Sequence, residues 1–204
     1  LAMPYYNVAG DHTASSYRLD EFLRGDHRCG KALYWEYLGP HFFSFEYGKI
    51  HFVSVDFGYH LGQRQIPVNG RKLEYPTNRV QPMHVQWLKQ DMASRTPGSF
   101  VVTTAESDLT RFCPGFREIA TRYDVRLQLV GDDHIVSYKE NPVPCRTGGA
   151  LSGCWWNPKA KQLCPELSPQ GYLIYRVSDE KLDCFYKGLG QRFAIVSHRV
   201  GTPW

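Results

Sequence analysis

Three short segments of the chain place acidic and imidazole side chains directly after apolar runs. They are Gly10-Asp11-His12, Ala105-Glu106-Ser107-Asp108 and Gly131-Asp132-Asp133-His134. Carboxylates and imidazoles at such positions can bind a divalent ion or transfer a proton, because the strand before each loop fixes where its side chains point. A single segment of this kind is also an ordinary turn, so the recurrence of the pattern is what indicates a site.

The elements that would position these segments follow from hydrophobic periodicity. Strands are predicted at 4–9, 99–105 and 125–131, each ending at one of the three segments, and helices at 16–24, 83–93 and from Pro114 onward. A hairpin is predicted to turn at 47–49, with a second arm that is apolar on both faces and therefore covered on both sides. The alternation of strands and helices predicts a layered α/β sheet whose loops carry the chemistry.

The remaining regions are predicted to be a long loop and a second hairpin. The polar stretch 60–80 contains two Pro and two Gly, which is typical of a loop that overhangs a site. Near the C-terminus, 172–177 and 182–187 are predicted to pair as a hairpin.

Composition narrows the function classes. With 204 residues and 42% hydrophobic residues the chain can bury a sizeable core. It contains no run of 18 apolar residues, so no transmembrane segment is predicted. The net charge of +4 comes from scattered basic residues, which argues against a nucleic-acid surface.

The order of the three segments resembles that of the calcineurin-like metallophosphoesterases. In that family a strand ending in Gly-Asn-His-Asp/Glu is followed by one ending in His, and then by one ending in Gly-His-x-His. The stretches GPHFFSFEYGKIHFVSVD, HVQWLKQDM and TGGALSGCWW are also similar to that family. The resemblance implies a metallophosphoesterase-like β-sandwich flanked by helices over 1–140, without its N-terminal part, and a small C-terminal β-rich module over 141–204. The C-terminal similarity is to the exported bacterial branch and favours a periplasmic or extracellular location.

The resemblance also implies a role for individual residues. Asp11 stands where the family has a metal-binding Asn, and His12 where it has the His that protonates the leaving group or holds the phosphate. Ala105 and Asp132 each occupy the place of a metal-binding His, and His134 that of the final ligand His. The family's earlier ligands, an Asp-x-His and a Gly-Asp pair, would lie upstream of the first residue.

These departures bear on the cofactor, which in the family is a pair of divalent ions (Mn, Mg, Fe or Zn) about 4 Å apart. Asp11 and Asp132 keep an oxygen donor, whereas Ala105 keeps none unless Glu106 or Asp108 reaches the site instead. Hydrolysis of a phosphate-containing small molecule is therefore expected to be weak or absent. Three interpretations stay open: an active phosphoesterase with an altered metal set, a degenerate relative that serves as a binding module or assembly subunit with a protein partner, and turns that merely cap loops.

Several other residues have two interpretations. Trp155 and Trp156 either line the mouth of a substrate site or pack the C-terminal module onto the main sheet. Asp56 is predicted to cap a loop. The six cysteines are compatible with disulfides or with buried thiols. Three further histidines are predicted to be surface or loop residues: His51, His60 and His84.

Overall fold

The structure is a computed structural model that describes residues 6–10, 31–56, 65–68, 71–74, 80, 82–132, 136–140, 142–148, 170–178, 181–190 and 195–201. Within these ranges the helices are α1 (Lys31–Leu38), α2 (Pro82–Ser94), α3 (Leu109–Phe112) and α4 (Phe116–Arg122). The strands are β1 (Phe43–Tyr47), β2 (Ile50–Val55), β3 (Gln65–Val68), β4 (Arg71–Glu74), β5 (Phe100–Ala105), β6 (Val125–Val130), β7 (Val136–Lys139), β8 (Cys145–Gly148), β9 (Gly171–Val177), β10 (Lys181–Gly188) and β11 (Ile195–Gly201).

The fold is mixed α/β, built on a six-stranded sheet in the order β1-β2-β5-β6-β8-β7. The four central strands β2, β5, β6 and β8 run parallel, and β1 and β7 flank them antiparallel. Helix α2 lies in the connection from β2 to β5, and α3 and α4 lie in the connection from β5 to β6. Parallel strands need such crossover connections, which bring all four of their carboxyl ends to one edge.

The two faces of this sheet bury separate hydrophobic clusters. On one face, Val53 and Val55 of β2 pack with Leu88 and Met92 of α2 and with Phe116 of α4. On the other face lie residues of β2, β5 and β6 together with residues of the C-terminal strands: Ile50, Phe100, Val102, Leu127 and Leu182, with Tyr175 and Val177 against them. The six-stranded sheet is thus covered by helices on one side and by a smaller sheet on the other, which confirms that β2 is buried on both faces.

The smaller sheet has the order β11-β10-β9 and is antiparallel throughout. Its β9–β10 pair is the hairpin that the sequence predicts. Strand β8 follows residue 140 in the chain and pairs with β6 and β7 in the larger sheet. The division into 1–140 and 141–204 stays a prediction.

Local sequence explains where several elements begin and end. Gly48 adopts a φ of 58° in the turn between β1 and β2, a conformation that costs glycine little. Helix α2 confirms the prediction at 83–93, with Leu88 and Met92 fully buried. The helix predicted from Pro114 begins at Phe116 instead, because Gly115 has a left-handed φ of 71° that does not continue a helix.

Two further predictions are corrected by the structure. Residues 6–9, the described part of the strand predicted at 4–9, have no regular secondary structure. Their position is held by other contacts: the Tyr34 hydroxyl donates a hydrogen bond to the Asn7 carbonyl oxygen at 2.7 Å, and the Tyr6 ring stacks on Phe45. The stretch 60–80 is not loop throughout, because it contains the antiparallel pair β3–β4.

Candidate functional site at the carboxyl edge

The carboxyl ends of the parallel strands lie in register. Val55, Ala105, Val130 and Thr147 are successive Cα partners across β2, β5, β6 and β8. The residues that follow the first three strands, Asp56, Glu106 and Gly131, therefore come out along one edge, which we call the carboxyl edge. Ligands of open α/β sheets bind outside this end of the strands, so this is where function is expected.

The loops after β5 and β6 are joined by two hydrogen bonds. The Ser107 hydroxyl donates to Asp132 Oδ2 at 2.8 Å, and the Gly131 N–H donates to the Glu106 carbonyl oxygen at 2.8 Å. Asp132 is exposed and has a φ of 65°, a left-handed conformation that Asp tolerates better than most residues. The structure thus brings two of the three chemistry-bearing segments of the sequence together.

Ala105 itself contributes nothing polar to this edge. Its side chain is buried in the hydrophobic cluster on the helix-covered face, in the same cluster as Val55 and Leu109. A methyl group cannot ligate a metal ion or hold a phosphate oxygen. The position where the resemblance predicts a metal ligand is therefore part of the core.

Asp108 is occupied as a helix cap. Its Oδ1 accepts hydrogen bonds from the Thr110 N–H at 2.9 Å and from the Thr110 hydroxyl at 2.7 Å, which satisfies the first turn of α3. The buried Gln128 side chain strengthens this arrangement, because its Nε2 donates to the same oxygen at 3.2 Å and its Oε1 accepts from the Leu109 N–H at 2.9 Å. These bonds commit Asp108 Oδ1 to the start of α3.

Asp56, predicted to be a loop cap, is buried at the end of β2 beside an imidazole. Its Oδ2 lies 3.3 Å from Nδ1 of His41, which is also buried. The Tyr34 ring stacks on the His41 ring with their centroids 4.7 Å apart. Sequence reasoning missed His41, although an Asp that ends an apolar strand is a signal that a buried partner exists.

The structure describes His51 and His84, two of the three histidines predicted to be surface or loop residues. His51 was expected at the surface or in a loop and is instead buried within β2, where two carboxylates bind its ring. His84 lies half-buried on α2 with its ring 4.2 Å from that of Phe42. His51 is thus a correction, because an imidazole with polar partners is stable inside a folded protein, whereas His84 lies on a helix instead of a loop and is partly exposed. His60 lies outside the described residues.

Of the predicted site residues, Asp132 is the one that the structure describes. Asp11, His12, His134, Trp155 and Trp156 lie outside the described residues. Across the described ranges, which leave out 11–30, 57–64, 133–135 and 149–169 among others, no group of three or more His, Cys, Asp or Glu side chains is placed to hold a metal ion.

The described cysteines do not extend the site. Cys113, Cys145 and Cys184 are buried as thiols. Burial raises the pKa of the Cys113 thiol to about 11, although the charge of Lys89 lowers it slightly. A thiol with this pKa is almost fully protonated at neutral pH and is a poor nucleophile. The structure therefore has thiols and not disulfides at these three positions. Cys29, Cys154 and Cys164 lie outside the described residues.

One further feature, a cleft, bears on possible ligands. A cleft of about 420 Å³ is lined by 110–118 around α3 and the start of α4, and it contains none of the predicted site residues.

No helix in the described part of the chain is both long enough and apolar enough to cross a bilayer.

Comparisons with known proteins give a distant structural similarity. No protein-family model matches the chain. No curated protein matches it either. Among solved structures, the chain is similar to GAP50, the anchor in the inner membrane complex of Plasmodium, with 12% sequence identity and a TM-score of 0.47. The match covers 78% of this chain and 53% of that one, so the present chain spans about half the length of that structure's chain.

Proposed function

We propose that the chain is a calcineurin-like metallophosphoesterase homologue whose hydrolysis of phosphate esters is weak or absent. The proposal rests on the residue order that resembles this family and on the joining of the segments after β5 and β6 at the carboxyl edge. One observation carries the loss of activity: Ala105, at the place of a family ligand, is a core residue. A two-ion displacement needs donors at each ion, and this position supplies none.

The hydrogen bonds at the carboxyl edge favour a second function, that of a binding module or assembly subunit that retains the fold. The Ser107–Asp132 and Gly131–Glu106 hydrogen bonds tie the two loops together through protein atoms alone. A loop pair that is held by its own hydrogen bonds can present a fixed surface. Such a surface suits recognition of a phosphate-containing small molecule or a protein partner.

The test is an assay of p-nitrophenyl phosphate and bis(p-nitrophenyl) phosphate with added Mn²⁺, using the chain and two charge-removing variants. Asp132→Asn alters the carboxyl edge. Asp124→Asn is a matched control, because Asp124 also has a left-handed φ, 54°, and lies at the opposite end of β6, where it pairs with Arg126. Asn tolerates this backbone conformation, so both variants are expected to fold.

The expected result is no turnover above the uncatalysed rate, or a trace of metal-dependent turnover that Asp132→Asn removes and Asp124→Asn retains. Turnover in the ordinary enzyme range of roughly 1 to 1,000 per second, equal in both variants, would contradict the proposal. Residual turnover supports an impaired phosphoesterase. Its complete absence, with phosphate binding that Asp132→Asn changes, supports the binding module.

A further inference from the structure

A buried histidine lies at the end of the sheet opposite to the carboxyl edge. His51 is the second residue of β2, and its ring is held between two carboxylates from different elements. Its Nδ1 lies 2.9 Å from Glu46 Oε1 on β1, and its Nε2 lies 2.8 Å from Asp91 Oδ2 on α2. We call this arrangement the His51 bridge.

The geometry of the His51 bridge favours a ring that carries two protons. A neutral imidazole has one N–H donor, and its other nitrogen is an acceptor. Carboxylate oxygens are acceptors, so two short contacts to carboxylates are both hydrogen bonds when both ring nitrogens carry a proton. Burial lowers the pKa of His51, but the hydrogen bonds and charges of Asp91 and Glu46 together outweigh it, so that the net pKa is raised.

The groups around the bridge fix the two carboxylates in place. The Ser44 hydroxyl donates to Asp91 Oδ1 at 2.6 Å, and the Thr96 N–H donates to Glu46 Oε1 at 3.0 Å. Three basic residues lie near the bridge in sequence: Lys49 and Lys89, which are exposed, and Arg95, whose guanidinium donates to the carbonyl oxygens of Met92 and Ser99.

On the remaining side of the bridge, the β5 partner of His51 is the apolar Val101. Within the bridge, a protonated ring supplies one positive charge between the carboxylates of Glu46 and Asp91. The bridge ties β1, β2 and α2 to one another.

We propose that protonation of His51 fastens helix α2 to the β1–β2 hairpin, and that loss of this proton loosens the helix. A neutral ring would keep one hydrogen bond and turn a lone pair toward the other carboxylate, which converts an attraction into a repulsion in a partly buried place. Loosening of α2 would expose Leu88 and Met92, which are fully buried between the helix and the sheet. The device depends on the fold alone and is independent of the proposed function.

The direction of the pH dependence follows from linkage. A group whose pKa is higher in the folded state stabilises the fold fully below its unfolded pKa of about 6.5, and that contribution is lost as the pH rises through the folded value. Because one proton is involved, the opening equilibrium of α2 rises by at most about tenfold for each pH unit inside this window. The helix is therefore expected to loosen as the pH rises above about 6.5.

The test combines ¹⁵N NMR of the histidine rings with amide hydrogen exchange of α2, corrected for the intrinsic pH dependence of exchange. Both ring nitrogens of His51 should be protonated below about pH 6.5, with a titration midpoint above the ordinary value. The protection of α2 amides should fall over the same pH range. His84→Gln is the matched control, since it removes another imidazole that lies on α2 itself, and it should leave this pH dependence unchanged.

The decisive variant is His51→Gln, in which the pH dependence of α2 protection should disappear. A ring that is neutral below pH 6.5, or an unchanged pH dependence in His51→Gln, would overturn the proposal. Should His51→Gln fail to fold, Asp91→Asn takes its place. That variant must lower the titration midpoint of His51, and an unchanged midpoint would equally overturn the proposal.

Discussion

Replacing Ala105 by His restores the side-chain type that the resembled family has at this position, and we expect it to damage the fold instead of rebuilding a site. Ala105 is 4% exposed and packs in the cluster that contains Val55 and Leu109. Adding heavy atoms to a close-packed core costs about 1–3 kcal/mol, and burying an imidazole without a partner costs about 1–3 kcal/mol more. The expected loss is therefore about 2–6 kcal/mol, a large part of the roughly 5–15 kcal/mol that stabilises a typical domain.

The assay is urea denaturation followed by tryptophan fluorescence, with and without Mn²⁺ or Zn²⁺. Ala105→Val is the matched control, because it enlarges the same side chain without adding a polar group and so measures the packing part alone. We expect both variants to be destabilised, Ala105→His more than Ala105→Val, and neither to respond to metal. A stable Ala105→His chain whose unfolding midpoint rises with metal would refute the reasoning, since binding to the folded state alone stabilises it.

Three further predictions concern the core. Thr103 is fully buried, and its hydroxyl has no hydrogen-bond partner in the described part of the chain. Thr103→Val should therefore raise the free energy of unfolding by about 1 kcal/mol. A decrease of that size in the free energy of unfolding would contradict this prediction. A Cβ at Gly171 would collide with the Lys187 carbonyl oxygen and the Tyr186 ring. Gly171→Ala should therefore lower the free energy of unfolding in urea denaturation by about 3 kcal/mol, whereas the control Gly148→Ala should lower it far less. Equal effects of the two substitutions would refute this prediction. Cys113 should react with iodoacetamide at least about 100-fold more slowly than an exposed thiol, and rapid labelling by peptide mass spectrometry would be incompatible with its raised pKa.

Elements with a strong hydrophobic period are the part of the fold that the sequence predicts well. The β1–β2 hairpin, α2, β5, β6 and the β9–β10 hairpin are confirmed, because their buried positions recur at the spacing of a strand or a helix. Short elements without such a period were missed, among them α1 and the β3–β4 pair. The apolar run at the start of the chain was misread, since Tyr6 and Ala9 show that apolar side chains can also pack from an irregular segment.

The sequence predicts where the candidate site lies better than it predicts which side chains form it. Strand ends in a parallel sheet must meet at one edge, so the proximity of the segments after β5 and β6 follows from topology. The bonding of Asp132 to Ser107 and the use of Asp108 as a cap depend on loop geometry, which periodicity does not encode. The partners of Asp56 and His51 are distant in sequence or on another element, and single-sequence patterns carry no such information.

The central proposal is that this chain does not assemble a two-metal phosphoesterase centre. Its most direct test is the metal content of the purified chain after equilibration with Mn²⁺, Zn²⁺ and Fe²⁺ in turn and exhaustive dialysis, measured by inductively coupled plasma mass spectrometry. The account predicts well under one retained ion per chain, in the native protein and in Asp132→Asn alike. Retention of about two ions per chain, lost in Asp132→Asn, would contradict it, because a two-metal site would then exist at the carboxyl edge despite Ala105.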